Sequence, residues 1–443
     1  MPRLAPPQSV LIVGGGEFGS TAALSLVEGP YRGHGELITL VERGAEPPAV
    51  DAASSDYNKV RADYADPLYQ KYALDAIAAW RTPQWAEYYH ECGVSVVSSK
   101  QDPQVGYVRS SHRLNEESET ANVSPLESGS GIKRLYDPSV QTAGFEGDEA
   151  YLNRVGGWAA TRDAVVGTLN RARRQGVRIL HGEADSLIFR SNGKEVAGVR
   201  TCDGRTLTAD VTILACGSWT PRLLPELAQN CLPTGQTVCT IKLNEEERKK
   251  YAKMPVTLCM DTGFYCFPPT ADGILKMAIH DRGWLAPSDT LPSLPRTHLC
   301  PGFENQQIPA TALAALKRGM ARVHPELSDW VDTKLFETRL CWYSDRESGD
   351  FLFDYHPSYG HSLFVAAGGS GHAAKFFPLV GKWIVDSIQG ALPRELSRLW
   401  CFHGDKSRLD KSRGEGPIVR RDLDTGKVAI VKVADKDMIK AKL

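Results

Sequence analysis

The sequence lacks an excess of charge of either sign. Its 443 residues include 52 Lys and Arg against 53 Asp and Glu, which gives a formal net charge of -1. A protein that binds nucleic acid or an anionic membrane surface needs a concentrated positive field to hold that partner. The balance therefore argues against both classes of partner.

Long apolar runs and paired cysteines are also missing. No stretch approaches the roughly 20 apolar residues that span a bilayer, and the N-terminus shows no pattern of a secretory signal. The ten cysteines are spread singly, without a CxxC pair, which argues against a metal site and against a disulfide framework. We therefore expect a protein of a reducing compartment, with two or three domains for a chain of this length.

A glycine motif stands near the start of the chain. The apolar run Val10–Val13 stops at Gly14-Gly15-Gly16-Glu17-Phe18-Gly19, which satisfies GxGxxG, and a helical pattern follows over Thr21–Val27. A second apolar run, Leu37–Val41, ends at Glu42. In such a turn the first glycine permits the tight bend, the second lets a pyrophosphate approach, and the third lets helix and strand pack. The acid after the second strand is placed to bind ribose hydroxyls.

This pattern predicts a dinucleotide-binding α/β domain, but the motif alone does not distinguish FAD from NAD. A later apolar strand, Val211–Ala215, ends in Cys216-Gly217. Many FAD-linked oxidoreductases have such a strand, at which the backbone returns to the dinucleotide; an ordinary buried strand with a glycine turn has the same pattern.

Elsewhere the sequence predicts a helix over Ala73–Tyr89 and antiparallel strands at Thr237–Ile241 and Phe264–Phe267. The polar and charged stretch 101–149 is predicted to be a loop-rich excursion. The charge-rich residues after Trp400 are predicted to form a surface tail.

Several short segments in a specific order resemble one family. Besides the glycine motif they are Asp56-Tyr57-Asn58-Lys59-Val60, Leu275-Lys276-Met277-Ala278-Ile279-His280, Leu340-Cys341-Trp342-Tyr343-Ser344 and Gly369-Ser370-Gly371-His372-Ala373-Ala374-Lys375-Phe376. Together they resemble the flavin-dependent amine oxidases that include monomeric sarcosine oxidase, pipecolate oxidase, fungal saccharopine oxidase and the fructosyl amino acid oxidases. The resemblance runs from Val10 to about Gly390 and leaves out 101–149 and the residues beyond Trp400.

The resemblance implies an α/β fold with two parts. A Rossmann-type FAD-binding domain with a doubly wound parallel sheet is expected from residues 1–95, 155–225 and 340–400. A smaller α+β substrate domain with an antiparallel sheet is expected from 96–154 and 226–339, and 401–443 form the C-terminal tail. The expected FAD-binding residues are Gly14, Gly16, Glu17, Phe18, Gly19, Glu42, Arg43, Asn58, Lys59, Gly217, Cys341, Gly369, Gly371, His372 and Lys375.

Two residues carry the chemistry that the resemblance implies. Cys341 matches the cysteine whose sulfur is joined to the flavin 8α-methyl carbon, a reaction that needs a thiolate. Lys276 matches a lysine whose ammonium lies near the flavin and promotes reaction with dioxygen, because a fixed cation stabilises developing superoxide.

The remaining site residues are predicted to bind substrate, and two of them, His280 and Lys375, are predicted to be catalytic together with Lys276. Lys375 matches a lysine that pairs with the substrate carboxylate, and Arg61 is a second candidate for that role. His280 stands where the sugar-amine oxidases tend to have Glu, and His372 where some of them have Arg, so both favour a sarcosine-type pattern.

An aromatic wall for the substrate is the last element of the predicted site. Tyr64, Trp284 and Trp342 are its candidates, with ordinary core packing as the alternative for each.

We therefore predict an FAD-dependent oxidase of a secondary amine that carries a carboxylate, of the N-methyl amino acid, pipecolate or saccharopine type. A hydride equivalent passes to flavin, an imine forms, and dioxygen is reduced to hydrogen peroxide. The alternatives are a fructosyl amino acid oxidase, a flavin or NAD dehydrogenase that uses another electron acceptor, and a non-catalytic nucleotide-binding protein.

The final residues Ala441-Lys442-Leu443 are a close variant of the Ser-Lys-Leu peroxisomal address. They predict recognition by the peroxisomal import receptor, with the cytoplasm as the alternative location. We expect a monomer.

Overall fold

The computed structural model describes residues 4–430, apart from 127, 144, 305–307, 335, 406, 415–418 and 425–427. The helices are α1 Glu17–Glu28, α2 Pro67–Trp80, α3 Val105–Glu116, α4 Ser128–Lys133, α5 Thr161–Arg174, α6 Thr220–Leu223, α7 Glu245–Tyr251, α8 Ala310–Val323, α9 Pro325–Thr333, α10 Phe377–Ile388 and α11 Arg394–Leu399. The strands are β1 Val10–Val13, β2 Ile38–Glu42, β3 Asn58–Val60, β4 Tyr89–Glu91, β5 Val94–Ser99, β6 Val123–Leu126, β7 Asp148–Asn153, β8 Gly157–Ala159, β9 Arg178–His181, β10 Ala184–Phe189, β11 Val196–Thr201, β12 Thr206–Thr208, β13 Val211–Leu214, β14 Leu232–Lys242, β15 Val256–Cys259, β16 Phe264–Cys266, β17 Ile274–Ile279, β18 Trp284–Leu285, β19 Phe336–Asp345, β20 Leu352–Tyr355, β21 Leu363–Ala367, β22 Val419–Asp422 and β23 Val428–Ile430.

The first sheet has the order β20-β21-β13-β1-β2-β9. Every pair is parallel except β20 with β21. Because β1 and β13 are neighbours, their carboxyl ends bring the glycine motif and residues 215–217 to the same edge of the sheet. Ligands of open parallel sheets bind at that edge.

The two faces of this sheet are covered differently. Alternate residues such as Val10 and Ile12 pack in one core with α1, α5 and α10. The intervening residues, such as Leu11 and Val13, pack against Val196 of the small antiparallel sheet β10-β11-β12 and against α6. The side-chain period of two in a strand produces this division.

The second sheet is mixed and larger, with the order β23-β22-β18-β14-β17-β16-β15-β5-β7-β6 and β19 also paired with β14. One face of its centre, including Cys239 and Met277, packs on α8 and α9 in a separate core. The opposite face, which includes Val238 and Ala278, joins a core that contains Cys341. This opposite face looks towards the first sheet's carboxyl edge and supplies one wall of the site described below.

The predicted helix over Ala73–Tyr89 is wrong in its bounds, since α2 spans Pro67–Trp80. The Asp66 carboxylate caps the start by accepting from the backbone N–H of Leu68 and Tyr69, and a proline at the first helical position needs no partner for its missing N–H. The helix ends before Pro83, which cannot donate to a continuing helix.

The predicted loop at 101–149 is also wrong, because much of this stretch is regular structure. It contains α3, β6, α4 and the start of β7. Val108, Ser111 and Asn115 recur at helical spacing on the buried face of α3, and β7 pairs with β5 in the second sheet. The abundance of polar residues reflects the exposed face of α3.

The predicted surface tail after Trp400 is corrected in part. Arg413 and Arg420 have nearly buried side chains, with 7% and 3% exposure, and both are close to the buried Asp345. Strand β22 pairs with β18 and so joins the second sheet. Charged side chains of this segment form ion pairs with residues earlier in the chain, such as Asp345.

No helix of the described residues is long and apolar enough to cross a membrane. Ala441, Lys442 and Leu443 lie outside the described residues, so the targeting signal stays a prediction. The division of the chain into domains also stays a prediction.

Candidate active site

The glycine motif forms the turn between β1 and α1. Gly14 has a φ of +103°, and a Cβ there would lie 2.4 Å from the Ala215 carbonyl oxygen. A Cβ on Gly19 would lie 1.8 Å from the Gly14 carbonyl oxygen. Gly16 begins α1 without a side-chain cap, so the first N–H groups of the helix remain available for an anion. The turn therefore has the geometry of a pyrophosphate cradle.

The acid after β2 is held against this turn. Glu42 is buried and its Oε2 accepts from the Gly15 N–H at 2.6 Å, while Oε1 accepts from the Gly44 N–H at 2.9 Å. The neighbouring Arg43 pairs with Asp51 and lies 4.1 Å from the ring centre of Trp219. These contacts fix the carboxylate at the predicted ribose position.

A long cavity, here called the glycine-motif cavity, starts at this turn. The predicted cofactor residues that line it are Gly14, Gly16, Glu17, Phe18, Glu42, Arg43, Asn58, Lys59, Gly217, Gly369, Gly371, His372 and Lys375. Gly19 and Cys341 are not among its lining residues. Gly19 lies in the first turn of α1, where the absence of a Cβ lets the helix pack against the Gly14 carbonyl oxygen. The cavity continues past Tyr265, Trp342 and Tyr343 towards the second sheet.

Cys341 and Lys276 lie on the same face of the second sheet. Strand β14 pairs Val238 with Ala278 of β17 on one side and with Arg339 of β19 on the other. Since alternate residues share a face, Lys276 and Cys341 point to the same side. Both side chains are buried, at 3% and 7% exposure, and neither lines the glycine-motif cavity. Lys276 Nζ lies 5.4 Å from the ring centre of Phe267, which does line it.

An acid outside the predicted set of site residues joins these groups. Asp56 accepts from Lys276 Nζ at 2.9 Å and from Arg339 Nη2 at 2.7 Å. Lys276 also donates to the Tyr57 carbonyl at 2.6 Å. The cluster therefore holds two cations and one carboxylate, which leaves a net positive charge behind the cavity.

The Cys341 thiol is influenced by opposing effects. Burial raises its pKa, while the Arg339 guanidinium and the Lys276 ammonium act in the opposite direction. Asp56 and Glu17 add to the effect of burial, so the pKa of the thiol is raised overall. The two fixed cations offset part of the cost of forming a thiolate here.

We expect the Asp56 cluster to make the stability of the fold pH-dependent. Burial alone raises the pKa of Asp56, but Lys276 and Arg339 outweigh burial and lower it to about 2. The stabilisation is therefore complete above about pH 4 and is lost as pH falls towards 2; it amounts to roughly 2 kcal/mol.

Asp56→Asn removes this charge and leaves the buried Lys276 and the half-buried Arg339 without their carboxylate, so we expect the variant to be roughly 2 kcal/mol less stable near pH 7. Urea unfolding of both proteins from pH 7 down to pH 3 measures the difference. The gap in unfolding free energy should begin to narrow below about pH 4. Equal stability of the two proteins at pH 7 would contradict the role assigned to the cluster.

A second cavity, here called the basic cavity, adjoins the first and has a volume of about 410 Å³. Lys59, Gly371, His372 and Lys375 line both cavities. The predicted substrate residues Arg61, Tyr64, His280, His372 and Lys375 all line the basic cavity. The structure therefore brings these residues to one place, beside the predicted cofactor.

Positive charge dominates the inner part of the basic cavity. Among the described residues, Lys59, Arg61 and Lys375 form no ion pair with a carboxylate within 4.0 Å: Arg61 donates to the Asp63 carbonyl, and Lys375 to Tyr64 Oη at 2.8 Å. Burial and then the neighbouring cations lower the pKa of Lys59 and of Lys375 well below the usual lysine range. An anionic ligand would relieve this repulsion.

His280 presents a neutral imidazole to the same cavity. Burial, and next the charge of Arg413, lower its pKa well below the usual histidine value. Its Nε2 is 3.5 Å from Ser412 Oγ, and its buried Nδ1 has no hydrogen-bond partner among the described residues. A buried ring nitrogen without a partner is free to bond a ligand.

Two of the three aromatic candidates are corrected. Trp284 lines neither cavity; it lies on β18, paired with Gly235, and Arg421 lies over its ring at 5.6 Å. Trp342 lines the glycine-motif cavity and donates through Nε1 to the Arg296 carbonyl. Tyr64 alone of the three lines the basic cavity, so the aromatic side chains of this wall are Tyr64, Tyr69 and Tyr107.

The outer wall of the basic cavity comes from the segment 407–412, part of the stretch predicted to be a surface tail. Arg408 pairs with Asp66 at 2.7 Å and with Asp350 at 3.3 Å. Arg413 forms a bidentate pair with Asp345 and donates to the Ser370 carbonyl. No local sequence signal marks these pairs, because each joins residues far apart in the chain. The alternation Arg339-x-Cys341, by contrast, was a readable sign that Arg339 faces the site.

Comparison with known proteins identifies the class. A family model described as FAD dependent oxidoreductase matches residues 9–387. The chain belongs to this family, so the dinucleotide that the motif left open is FAD. L-saccharopine oxidase of Schizosaccharomyces pombe is 30% identical over 423 residues, which cover 90% of this chain and 94% of that protein. Amino acid oxidase imqH of Aspergillus flavus is 29% identical, with 90% and 98% covered.

Solved structures agree with the fold. The fructosyl amine:oxygen oxidoreductase Amadoriase I of Aspergillus fumigatus has a TM-score of 0.81 at 26% identity, with 96% of this chain and 97% of that chain covered. Amadoriase II of the same organism, in complex with FSA, has a TM-score of 0.82 at 26% identity, with 98% and 99% covered. The predicted fold class and the predicted family are therefore confirmed.

Proposed function

We propose that the protein oxidises a secondary amine that carries a carboxylate, of the N-methyl amino acid, pipecolate or saccharopine type, with dioxygen as electron acceptor. The observation that carries this proposal is a group of three cations, the buried Arg61 and Lys375 and the half-buried Lys59, in a cavity that shares a wall with the predicted FAD site. Among the described residues none of the three forms an ion pair with a carboxylate. The named relatives, which include a saccharopine oxidase and an amino acid oxidase, support it.

Bound FAD supplies a hydride acceptor and a route for electrons to dioxygen. Lys375 and Arg61 bind the substrate carboxylate by charge-assisted hydrogen bonds. The neutral His280 accepts a hydrogen bond at the amine through its free Nδ1. These contacts fix which end of the substrate points to the wall shared by the two cavities.

The cluster behind the cavity wall serves the second half of the reaction. Lys276 and Arg339 with Asp56 leave one buried positive charge, which stabilises negative charge as it develops on dioxygen. We also propose that Cys341 would hold the flavin through its sulfur. A C–H bond of the flavin methyl group would break as the C–S bond forms, and the two electrons would be taken up by the flavin and passed to dioxygen. Arg339 and Lys276 would offset part of the effect of burial, which disfavours the Cys341 thiolate.

A peroxide-coupled assay of the purified yellow protein tests the proposed function. The substrates are sarcosine, pipecolate, saccharopine and a glycated amino acid, and piperidine is the matched control because it is pipecolate without the carboxylate. We expect peroxide to form, and kcat/KM for the preferred amino acid to be at least about 100-fold above that for its decarboxylated analogue.

Other results would assign the protein to the alternatives. Reduction of a dye without peroxide would indicate a dehydrogenase, and turnover of the glycated amino acid alone would indicate a fructosyl amino acid oxidase. A lack of turnover with every amine, despite bound FAD, would indicate a non-catalytic role.

We further propose a peroxisomal location, on the basis of Ala441-Lys442-Leu443 alone. Peroxide production is consistent with that compartment. Removal of these three residues from a fluorescent fusion should leave the fusion in the cytosol, whereas an unchanged distribution would contradict the signal.

A further inference from the structure

Lys375 is held in an unusual setting for a lysine that receives a substrate. Its Nζ donates to Tyr64 Oη at 2.8 Å and to the His372 carbonyl at 3.2 Å. Beside a bound carboxylate, which favours the charged form, Lys375 is an ammonium with three N–H bonds, so one remains for that ligand. The direction of this third N–H bond is set by the positions of Tyr64 Oη and the His372 carbonyl oxygen, which accept from the first two.

Tyr64 connects Lys375 to a chain of hydrogen bonds with one direction. Lys375 Nζ donates to Tyr64 Oη, which therefore donates in turn to His372 Nδ1 at 2.8 Å. His372 Nε2 then carries the proton and donates to the Gly349 carbonyl at 2.7 Å. Burial, with the charge of Lys375 next in size, lowers the pKa of His372 well below its usual value, so the imidazole is neutral.

The same tyrosine also contacts the other carboxylate-binding candidate. The Arg61 guanidinium lies 5.1 Å from the ring centre of Tyr64. The Tyr64 ring also packs with Tyr69, at 5.6 Å between ring centres, and with Phe376, at 6.3 Å, in a group of three mutually contacting rings. One rigid side chain therefore sets the position of one cation through its hydroxyl group and of the other through its ring face.

We propose that Tyr64 is a positioning residue that sets the spacing of Lys375 and Arg61 for a substrate carboxylate. This inference rests on the proposed function, since it assumes that the two cations bind that group. Tyr64 acts through Lys375 and Arg61 and takes no part in electron transfer. Removal of its hydroxyl group should therefore weaken substrate binding more than it slows the reaction of bound substrate.

The test is Tyr64→Phe, which keeps the ring and its contact with Arg61 but removes the bond to Lys375. We expect KM for the amino acid substrate to rise about tenfold, while kcat changes less than about threefold. The inhibition constant of acetate, which has a carboxylate and no amine, should rise by a similar factor. Flavin content and flavin absorbance of the variant should match those of the wild type.

Tyr136→Phe is the matched control. It removes a buried hydroxyl group bonded to Thr257 Oγ1, outside both cavities, and should leave KM and acetate inhibition unchanged. If Tyr64→Phe also leaves both constants unchanged, the positioning role is wrong and the proposed function stands. If acetate does not inhibit the wild type and no carboxylate-bearing amine is preferred, the proposed function itself fails.

Discussion

Cys341→Ser should release the flavin from the denatured chain. After denaturation in acid and removal of the precipitate, we expect the yellow colour to stay with the wild-type protein and to move entirely into the supernatant for the variant. The physical reason is that the proposed attachment requires a sulfur nucleophile at this position, whereas a serine hydroxyl is far less acidic than a thiol. The measurement is the flavin absorbance of the pellet and of the supernatant.

The environment of Cys341 differs from that of the other buried cysteine used as a control. Arg339 shares its face of β19, and Lys276 lies on the same face two strands away. Cys266→Ser is the matched control, because Cys266 is buried in the same sheet but belongs to the core beneath α8; its flavin should stay attached. Free flavin in the supernatant of the denatured wild type would show that the cofactor is held by non-covalent contacts alone.

Lys276→Met should slow the reaction of the reduced enzyme with dioxygen. The methionine keeps the volume of the side chain but removes the charge, so under the proposed mechanism developing superoxide loses a stabilising cation. Removal of one such electrostatic group typically costs about 10²–10³-fold in rate. The measurement is stopped-flow mixing of the substrate-reduced enzyme with dissolved dioxygen.

The fold should tolerate this substitution, because Asp56 keeps its ion pair with Arg339 at 2.7 Å. Reduction of the enzyme by substrate without oxygen should therefore change much less than reoxidation. Lys250→Met is the control: Lys250 is paired with Glu326 in the part of the chain that packs with α9, and its loss should leave both half-reactions unchanged. An equal loss in both half-reactions for Lys276→Met would indicate a general disturbance of the site.

The local motifs were the most readable part of the sequence. Gly19 is required by its contact with Gly14 inside one strand-turn-helix unit, and Gly14 by its positive φ in the same turn, so their spacing indicates the turn. The close approach of Gly14 to Ala215 joins distant segments and cannot be read from the motif. The alternation that runs through β17 likewise predicts Lys276 and His280 on one face, because every second residue of a strand points the same way. The helix over 105–116 was missed because most of its surface is exposed and polar, and composition alone resembles a loop.

The sequence by itself determined the nucleotide-binding turn, the acid beside it and the identity of the candidate chemical groups, because these depend on contacts within short segments. Only the tertiary structure decided that Asp56 joins Lys276 to Arg339, that Tyr64 bonds Lys375, and that residues 407–412 close the basic cavity. Each of these arrangements depends on strand register or on ion pairs between segments far apart in the chain. Strand register and long-range ion pairs depend on how the whole molecule packs, so they cannot be predicted from a local sequence pattern.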